Sequence, residues 1–202
     1  MGDIMIILYL LISYLFGSIP WALIVGKVFY HTDIRQHGSG NLGGTNAGRV
    51  LGKKAGIMVM ALDVLKALIV VIALSFIDKN TAILSGLACT FGHCFPIFAG
   101  FRGGKGVATT TAYLLGVSIF CTHNVLLQFC LPLAVFLVIL YLTKMVSLAS
   151  MSAAALAALV SYFQPNVLFS VCITILALFI IFQHRANIQR IISGTERKIT
   201  WM

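Results

Sequence analysis

IMIILYLLISYLFGSIPWALIV, residues 4–25, carries no charged side chain. A run this long and this apolar is enough to cross a bilayer core as a helix. The other reading of an apolar stretch at this place is a secretory signal peptide. This run exceeds the usual hydrophobic region of such a peptide, no basic segment precedes it, and no small-x-small cleavage site follows, so it is read as a spanning helix. The rest of the 202-residue chain agrees, with 60% apolar residues, 9% charged residues and a mean hydropathy of +1.02. A soluble domain of this composition would expose far too much hydrocarbon, which makes this an all-α integral membrane protein.

Further apolar runs near 56–77, 81–100, 106–122, 124–143, 147–163 and 166–184 bring the expectation to seven transmembrane helices. The runs are continuous rather than alternating, which argues against a strand barrel. Gly92, Pro96 and Pro132 predict kinks or partly re-entrant pieces. With no linker or low-complexity segment, residues 1–202 read as a single polytopic domain. Cys89, Cys94, Cys121, Cys130 and Cys172 lie in or beside apolar runs without a CxxC pair, and read as buried small hydrophobes rather than disulfides or zinc ligands.

Seven spans put the two ends on opposite sides, and Lys and Arg decide which side is cytoplasmic. One side receives twelve of the 14 basic residues, the other receives Lys79, and Lys66 lies within a span. The N-terminus is therefore expected outside and the C-terminus in the cytoplasm. The net charge of +9 also suits anionic lipid headgroups, and for Lys53, Lys54, Arg197 and Lys198 that is the reading; no nucleic acid is expected as a partner.

Three polar segments fall on the cytoplasmic side: GSGNLGGTNAGR (38–49), RGGKGVA (102–108) and HRANIQRII (184–192). Glycine frees backbone amides to point at an anion, and nearby Arg and Lys supply charge, so these are candidate phosphate sites. In the first, Ser39, Gly40, Asn41, Thr45, Asn46 and Arg49 are the candidate ligands. The segment is neither a Walker loop, since GxxxxGK[ST] is absent, nor a Rossmann fingerprint, since no strand precedes it. In the second, Arg102, Gly103, Gly104 and Lys105 precede a helix start, where the macrodipole favours an anion. In the third, His184 and Asn187 are three residues apart on one helical face, with Arg190 continuing the line. A histidine at that position is a candidate general base or hydrogen-bond donor.

Two polar features lie elsewhere. Asp63 and Lys66 can pair within the second of the seven spans, either as a structural ion pair or, with His93, as the floor of the site. Ser147 is either a helix N-cap or a substrate contact. No cluster of His, Asp or Glu suggests a metal.

Taken together these segments resemble the signature motifs of the bacterial membrane-bound glycerol-3-phosphate acyltransferases that use acyl phosphate. The family's motifs are close to GSGNPGATN followed by Arg, GHxxPxFxxFRGGKGVAT, and HRxNIxR followed by GxE. Here they read Gly38 to Asn46 with Arg49, Gly92 to Thr109, and His184 to Arg190 with Gly194 and Glu196. Leu42 stands at the usual proline and Gly44 at the usual alanine, changes expected to loosen the first loop, and Ala186 stands where a Glu is common.

The resemblance implies transfer of a fatty acyl group from acyl phosphate to the 1-hydroxyl of sn-glycerol 3-phosphate. The products would be lysophosphatidic acid and phosphate, in the first step of phospholipid synthesis at the bacterial inner membrane. It further implies that residues 39–49 and 102–104 bind phosphate, and that Lys105, Ser147, His184 and Asn187 form the catalytic group, without cofactor or metal. Lipids of the membrane are the remaining partners. The competing reading is a transporter or channel for an organic phosphate, against which stand the absence of an internal repeat and the surface position of the motifs.

Overall fold

The computed structural model describes residues 2–199. Its α-helices are α1 Asp3–Gly17, α2 Trp21–Tyr30, α3 Gly44–Leu51, α4 Lys53–Ser75, α5 Lys79–Cys94, α6 Val107–Phe120, α7 Leu131–Thr143, α8 Val146–Ser161, α9 Val167–Gln183 and α10 Arg185–Ile192. No strand occurs among the described residues. They form two compact units that meet in sequence at Gly116 and Val117, inside α6.

Four helical runs are long and apolar enough to cross a membrane: Asp3–Tyr30, Lys53–Ser75, Lys79–Ala99 and Leu126–Thr143. A fifth is added if α9 and α10, bent by 55° at their junction, count as one. The expected seven apolar segments are all helical, but the other two, α6 and α8, have only 14 and 16 residues. At 1.5 Å per residue they reach about 21 and 24 Å, short of a hydrocarbon core of about 30 Å. By length and composition four or five helical segments among the described residues can span alone, and α6 and α8 are shorter apolar helices at the remaining two of the seven expected positions.

The first apolar run is not one straight helix either. Pro20 lacks an N–H, so α1 stops at Gly17 and α2 restarts at Trp21. The Ser18 hydroxyl donates to the Tyr14 carbonyl at 2.8 Å and covers part of the break. In the first unit α1 lies along α5, and α4 packs against both α3 and α5. Small residues let α1 and α5 approach closely, for a Cβ at Gly17 would strike the Cys89 carbonyl and one at Gly92 the Tyr14 carbonyl.

In the second unit α8 packs against α7 and α9. A π-helical turn, Leu126–Cys130, replaces the start of the helix expected from residue 124. It turns Gln128 fully inward, where the side-chain amide donates to the Val160 carbonyl at 3.0 Å. Cys130 is exposed while the other four cysteines are buried, so it is not the buried hydrophobe its neighbours suggested. Large apolar side chains such as Ile4, Phe76, Leu126 and Phe163 cover the outside, as a lipid-facing surface requires.

Candidate active site

The glycine-rich first segment is only half a loop. From Gly44 onward it is helix α3, a short element that glycine would normally weaken by about 1 kcal/mol per residue. Packing offsets that cost: Gly48 and Gly56 meet so closely that a Cβ on Gly56 would collide with the Gly48 backbone. Thr45 and Arg49, four apart, share the exposed face of α3, while Asn46 is buried on the other. The Asn46 carbonyl oxygen accepts the Ser39 N–H at 2.9 Å, and its amide donates to the His37 carbonyl at 3.2 Å. Asn46 is thus committed to shaping the loop. Gly38 makes that possible, since its φ is +65° and a side chain there would run into the Asn46 oxygen.

Leu42 does the opposite of loosening the loop. It is buried in an apolar cluster with Leu23, Ile34 and Val59, and its N–H donates to the Gly103 carbonyl at 3.3 Å. Gly44 is likewise confined, with the Gly56 carbonyl and the Met60 side chain at the limit of contact for any Cβ. The same Leu42 bond joins the first segment to the second, so two phosphate candidates far apart in sequence become neighbours within one unit.

The second segment folds back on the end of α5. Gly103 N–H donates to the Cys94 carbonyl and Gly104 N–H to the His93 carbonyl, each at 3.1 Å. Both glycines are required by the closeness: a Cβ on Gly103 would strike the His93 carbonyl, and one on Gly104 the His93 ring. Arg102 is exposed and Lys105 half-buried, two residues before α6 begins. The expected place of Lys105 near a helix N-terminus is where the structure puts it.

Beneath this loop Asp63, Lys66 and His93 meet. Lys66 Nζ lies 2.9 Å from Asp63 Oδ1 and 3.1 Å from His93 Nδ1, and donates to the Ile19 carbonyl at 3.0 Å. The expected Asp63–Lys66 pair is therefore a three-residue cluster, with both charged side chains at 2% exposure or less.

In the second unit the third segment is broken at His184, where α9 turns into α10. The His184 Nδ1 lies 2.8 Å from the Ile180 carbonyl, which can only accept, so Nδ1 carries a proton and a neutral ring has its lone pair on Nε2. Asn187, nearly buried, donates to Glu196 Oε1 at 2.6 Å, and the Ser147 hydroxyl donates to the same oxygen at 2.7 Å. Arg190 Nε donates to Glu196 Oε2 at 2.8 Å. Ser147 therefore does not cap α8 with its side chain; it faces Glu196, as does Asn187.

Glu196 is the residue that sequence reasoning undervalued, since only the GxE of the third motif marked it. It is the one carboxylate in a tail otherwise basic at Arg190, Arg197 and Lys198. Burial pushes its carboxyl up, but the hydrogen bonds from Asn187, Ser147 and Arg190, with the Arg190 charge, outweigh burial and hold it below the ordinary 4.5. A lowered folded-state pKa stabilises fully above the ordinary value and loses that stabilisation as pH falls through the depressed one. The wild-type protein is therefore expected to lose melting temperature faster than Glu196→Gln between about pH 5 and pH 3. Parallel acid-side curves in detergent would show that Glu196 is not held ionised by these partners.

An apolar groove of about 470 Å³ runs beside the first unit's site, lined by Ile19, Pro20, Leu23, Ile24, Val28 and Phe98, with Lys27 at its edge.

Comparison with known proteins bears on these groups. A family profile described as Glycerol-3-phosphate acyltransferase matches residues 7–194. The chain is 46% identical over 201 residues to the glycerol-3-phosphate acyltransferase of Listeria monocytogenes serovar 1/2a, covering 98% of each chain. It is also 46% identical over 201 residues to the Bacillus subtilis (strain 168) enzyme of that name, covering 98% of this chain and 100% of that one. Its fold is similar to a crystal structure of PlsY, an integral membrane glycerol 3-phosphate acyltransferase, in its glycerol 3-phosphate form, with a TM-score of 0.85, 36% identity and 96% of each chain covered. The lysophosphatidic acid form of the same acyltransferase matches with a TM-score of 0.82 and 35% identity, over 96% of this chain and 95% of that one.

Proposed function

This chain belongs to the glycerol-3-phosphate acyltransferase family, and from that premise we propose that it moves a fatty acyl group from acyl phosphate to the 1-hydroxyl of sn-glycerol 3-phosphate. Lysophosphatidic acid and inorganic phosphate leave, and residues 1–202 serve as one acyltransferase domain. The observation that carries this reading is the join between Leu42 and Gly103, which sets two glycine-rich basic segments side by side. A pair of such segments suits two phosphate-bearing substrates, whose mutual repulsion Arg49, Arg102 and Lys105 lower. That the related PlsY has been crystallised with glycerol 3-phosphate and with lysophosphatidic acid supports the acceptor and product.

Ser39, Asn41, Thr45 and Arg49 then hold one phosphate, with Asn46 and Gly40, whose N–H donates to the His37 carbonyl at 3.0 Å, keeping their loop in shape. Arg102 and Lys105 hold the other, on a loop whose expected glycine ligands are corrected by the structure: the Gly103 and Gly104 amides are already taken by the Cys94 and His93 carbonyls and serve to shape it. The mixed anhydride is already activated, so positioning and oxyanion stabilisation suffice without a covalent enzyme intermediate. The glycerol 1-hydroxyl attacks the acyl carbonyl, its proton passes to His184 Nε2, the carbonyl π electrons collapse back and the C–O bond to phosphate breaks. Ser147 and Asn187, both set by Glu196, orient the acceptor and the developing oxyanion. The apolar groove beside Phe98 takes the acyl tail, which membrane lipids surround.

The basic-residue bias supports a cytoplasmic position for these segments at the bacterial inner membrane and, if the chain crosses seven times, an N-terminus outside and a C-terminus inside. One experiment tests chemistry and orientation together. Inside-out membrane vesicles given acyl phosphate and radiolabelled glycerol 3-phosphate are expected to gain label that extracts into organic solvent, and right-side-out vesicles are not. Water-soluble label trapped in the lumen would instead identify a transporter, and equal product from both vesicle types would refute the orientation.

A further inference from the structure

Two opposite charges inside membrane-spanning helices are costly to fold, and an apolar pair of similar size commonly serves stability as well or better. Asp63 and Lys66 are both all but inaccessible, at 2% and 1% side-chain exposure, so their presence calls for a reason besides stability. The third member of the cluster supplies one. The Lys66 ammonium has three protons and stands within reach of the Ile19 carbonyl, Asp63 Oδ1 and His93 Nδ1. The first of these exists because Pro20 breaks the helix beside it. Asp63 Oδ1 also lies 3.2 Å from His93 Nδ1, so both members of the ion pair bracket that edge of the ring, and the opposite edge carries Nε2, the atom that a Cβ on Gly104 would strike. The main chain of His93 grips the same glycine, accepting the Gly104 N–H at 3.1 Å.

We propose that Asp63, Lys66 and His93 are positioning residues for the reaction: the buried ion pair fixes the rotation of the His93 ring, whose Nε2 edge sets the backbone of the Gly103–Lys105 phosphate loop. The cluster touches no reacting atom. It acts through the loop, and the idea rests on the reading above that this loop binds a substrate phosphate. Lys105 directly follows Gly104, whose N–H donates to the His93 carbonyl, so a turned ring displaces the loop on which the cation is mounted.

The two ring nitrogens can be separated by substitution. His93→Asn keeps a hydrogen-bonding atom near the Nδ1 position for Lys66 but does not extend to Gly104. His93→Gln extends an amide to the Nε2 position. A cluster that exists only to satisfy Lys66 would tolerate Asn better; a cluster that positions the loop tolerates Gln better. In detergent or vesicles, with glycerol 3-phosphate and whichever donor the unmodified protein uses, His93→Gln is expected within about threefold of wild-type kcat/KM and His93→Asn at least about tenfold below it. Adding Lys105→Ala to His93→Asn is expected to cost much less than Lys105→Ala costs alone, because both changes remove the same loop function. Equal activity of the two His93 variants, the reverse order, or losses that multiply with Lys105→Ala would overturn the proposal.

Where either His93 variant fails to fold, the paired replacement Asp63→Leu with Lys66→Met decides, since it leaves no lone buried charge. Its expected result is a melting temperature no lower than wild type with kcat/KM at least about tenfold lower, and wild-type activity in that variant would make the ion pair structural only. Failure of the phosphate-loop reading itself is distinguishable. In that case Lys105→Ala retains wild-type kcat/KM whatever His93 does.

Discussion

Lys105→Ala loses about ten- to 150-fold in kcat/KM while the protein stays folded, because a charge-assisted contact to phosphate in a partly desolvated site contributes about 1.5–3 kcal/mol. Arg197→Ala, which removes the same formal charge from an exposed position in the tail, stays close to wild type. The comparison isolates place from charge. Lys105 follows two glycines whose amides are hooked to the end of α5, and it precedes α6 by two residues, where a bound anion would also meet the helix dipole. Arg197 has no glycine context and is exposed beside Glu196, the carboxylate that Arg190 holds. Equal losses in the two variants, at matched extracted amount and melting temperature, would mean that the electropositive face acts diffusely and that no discrete phosphate site exists at Gly103–Lys105.

What could be read from the chain followed from what each residue must do for itself. Apolar runs of membrane length have to be helices, since no water is present to satisfy their backbone, and each of the seven expected runs is helical. Their ends lay within a few residues of the interruptions, yet α6 and α8 proved shorter than a span because hydropathy does not distinguish contact with lipid from contact with protein. Pro20 was visible in the sequence, but the run 4–25 looked continuous because only the missing N–H, not the side chain, interrupts it.

Helix α3 was hidden for a different reason. Its sequence, GTNAGRVL, has two glycines that argue for loop, and what makes it helical is the contact of Gly44 and Gly48 with Gly56 on α4, a tertiary effect. The same holds for Asn46, which reads as a ligand by type and turns out to be engaged by Ser39 and His37. Glu196 could be found only as a motif letter. Its three partners at Ser147, Asn187 and Arg190 come from α8 and α10, and no spacing rule connects positions 147 and 196.

Acyl phosphate is expected to be accepted and thioesters refused, and this donor choice is the largest effect expected of the protein. An acyl-coenzyme A donor requires a surface for its nucleotide, and an acyl carrier protein a docking face, whereas the long connections of the first unit, 31–43 and 95–106, carry the glycine-rich basic segments. What the chain offers is Arg49, Arg102 and Lys105 on two tightly turned glycine-rich segments, a group scaled to a bare phosphate. The HxxxxD pair of the other acyltransferase class is also missing. His31, His37, His93, His123 and His184 are followed five residues later by Gln36, Leu42, Phe98, Gln128 and Gln189, so no carboxylate stands where that chemistry would need one to orient the histidine. Instead His184 is oriented by the Ile180 carbonyl, which fixes its tautomer without adding charge. With His184 as the proposed base, a neutral imidazole of that kind would be adequate for an anhydride, whose phosphate leaving group needs little help, and poorly matched to a thioester presented without a binding surface. Purified protein given glycerol 3-phosphate and each donor in turn is expected to form lysophosphatidic acid from acyl phosphate at least about a hundredfold faster than from acyl-coenzyme A or acyl carrier protein. Comparable rates from a thioester would show that the phosphate loops do not select the donor, and the mechanism built on them would fall.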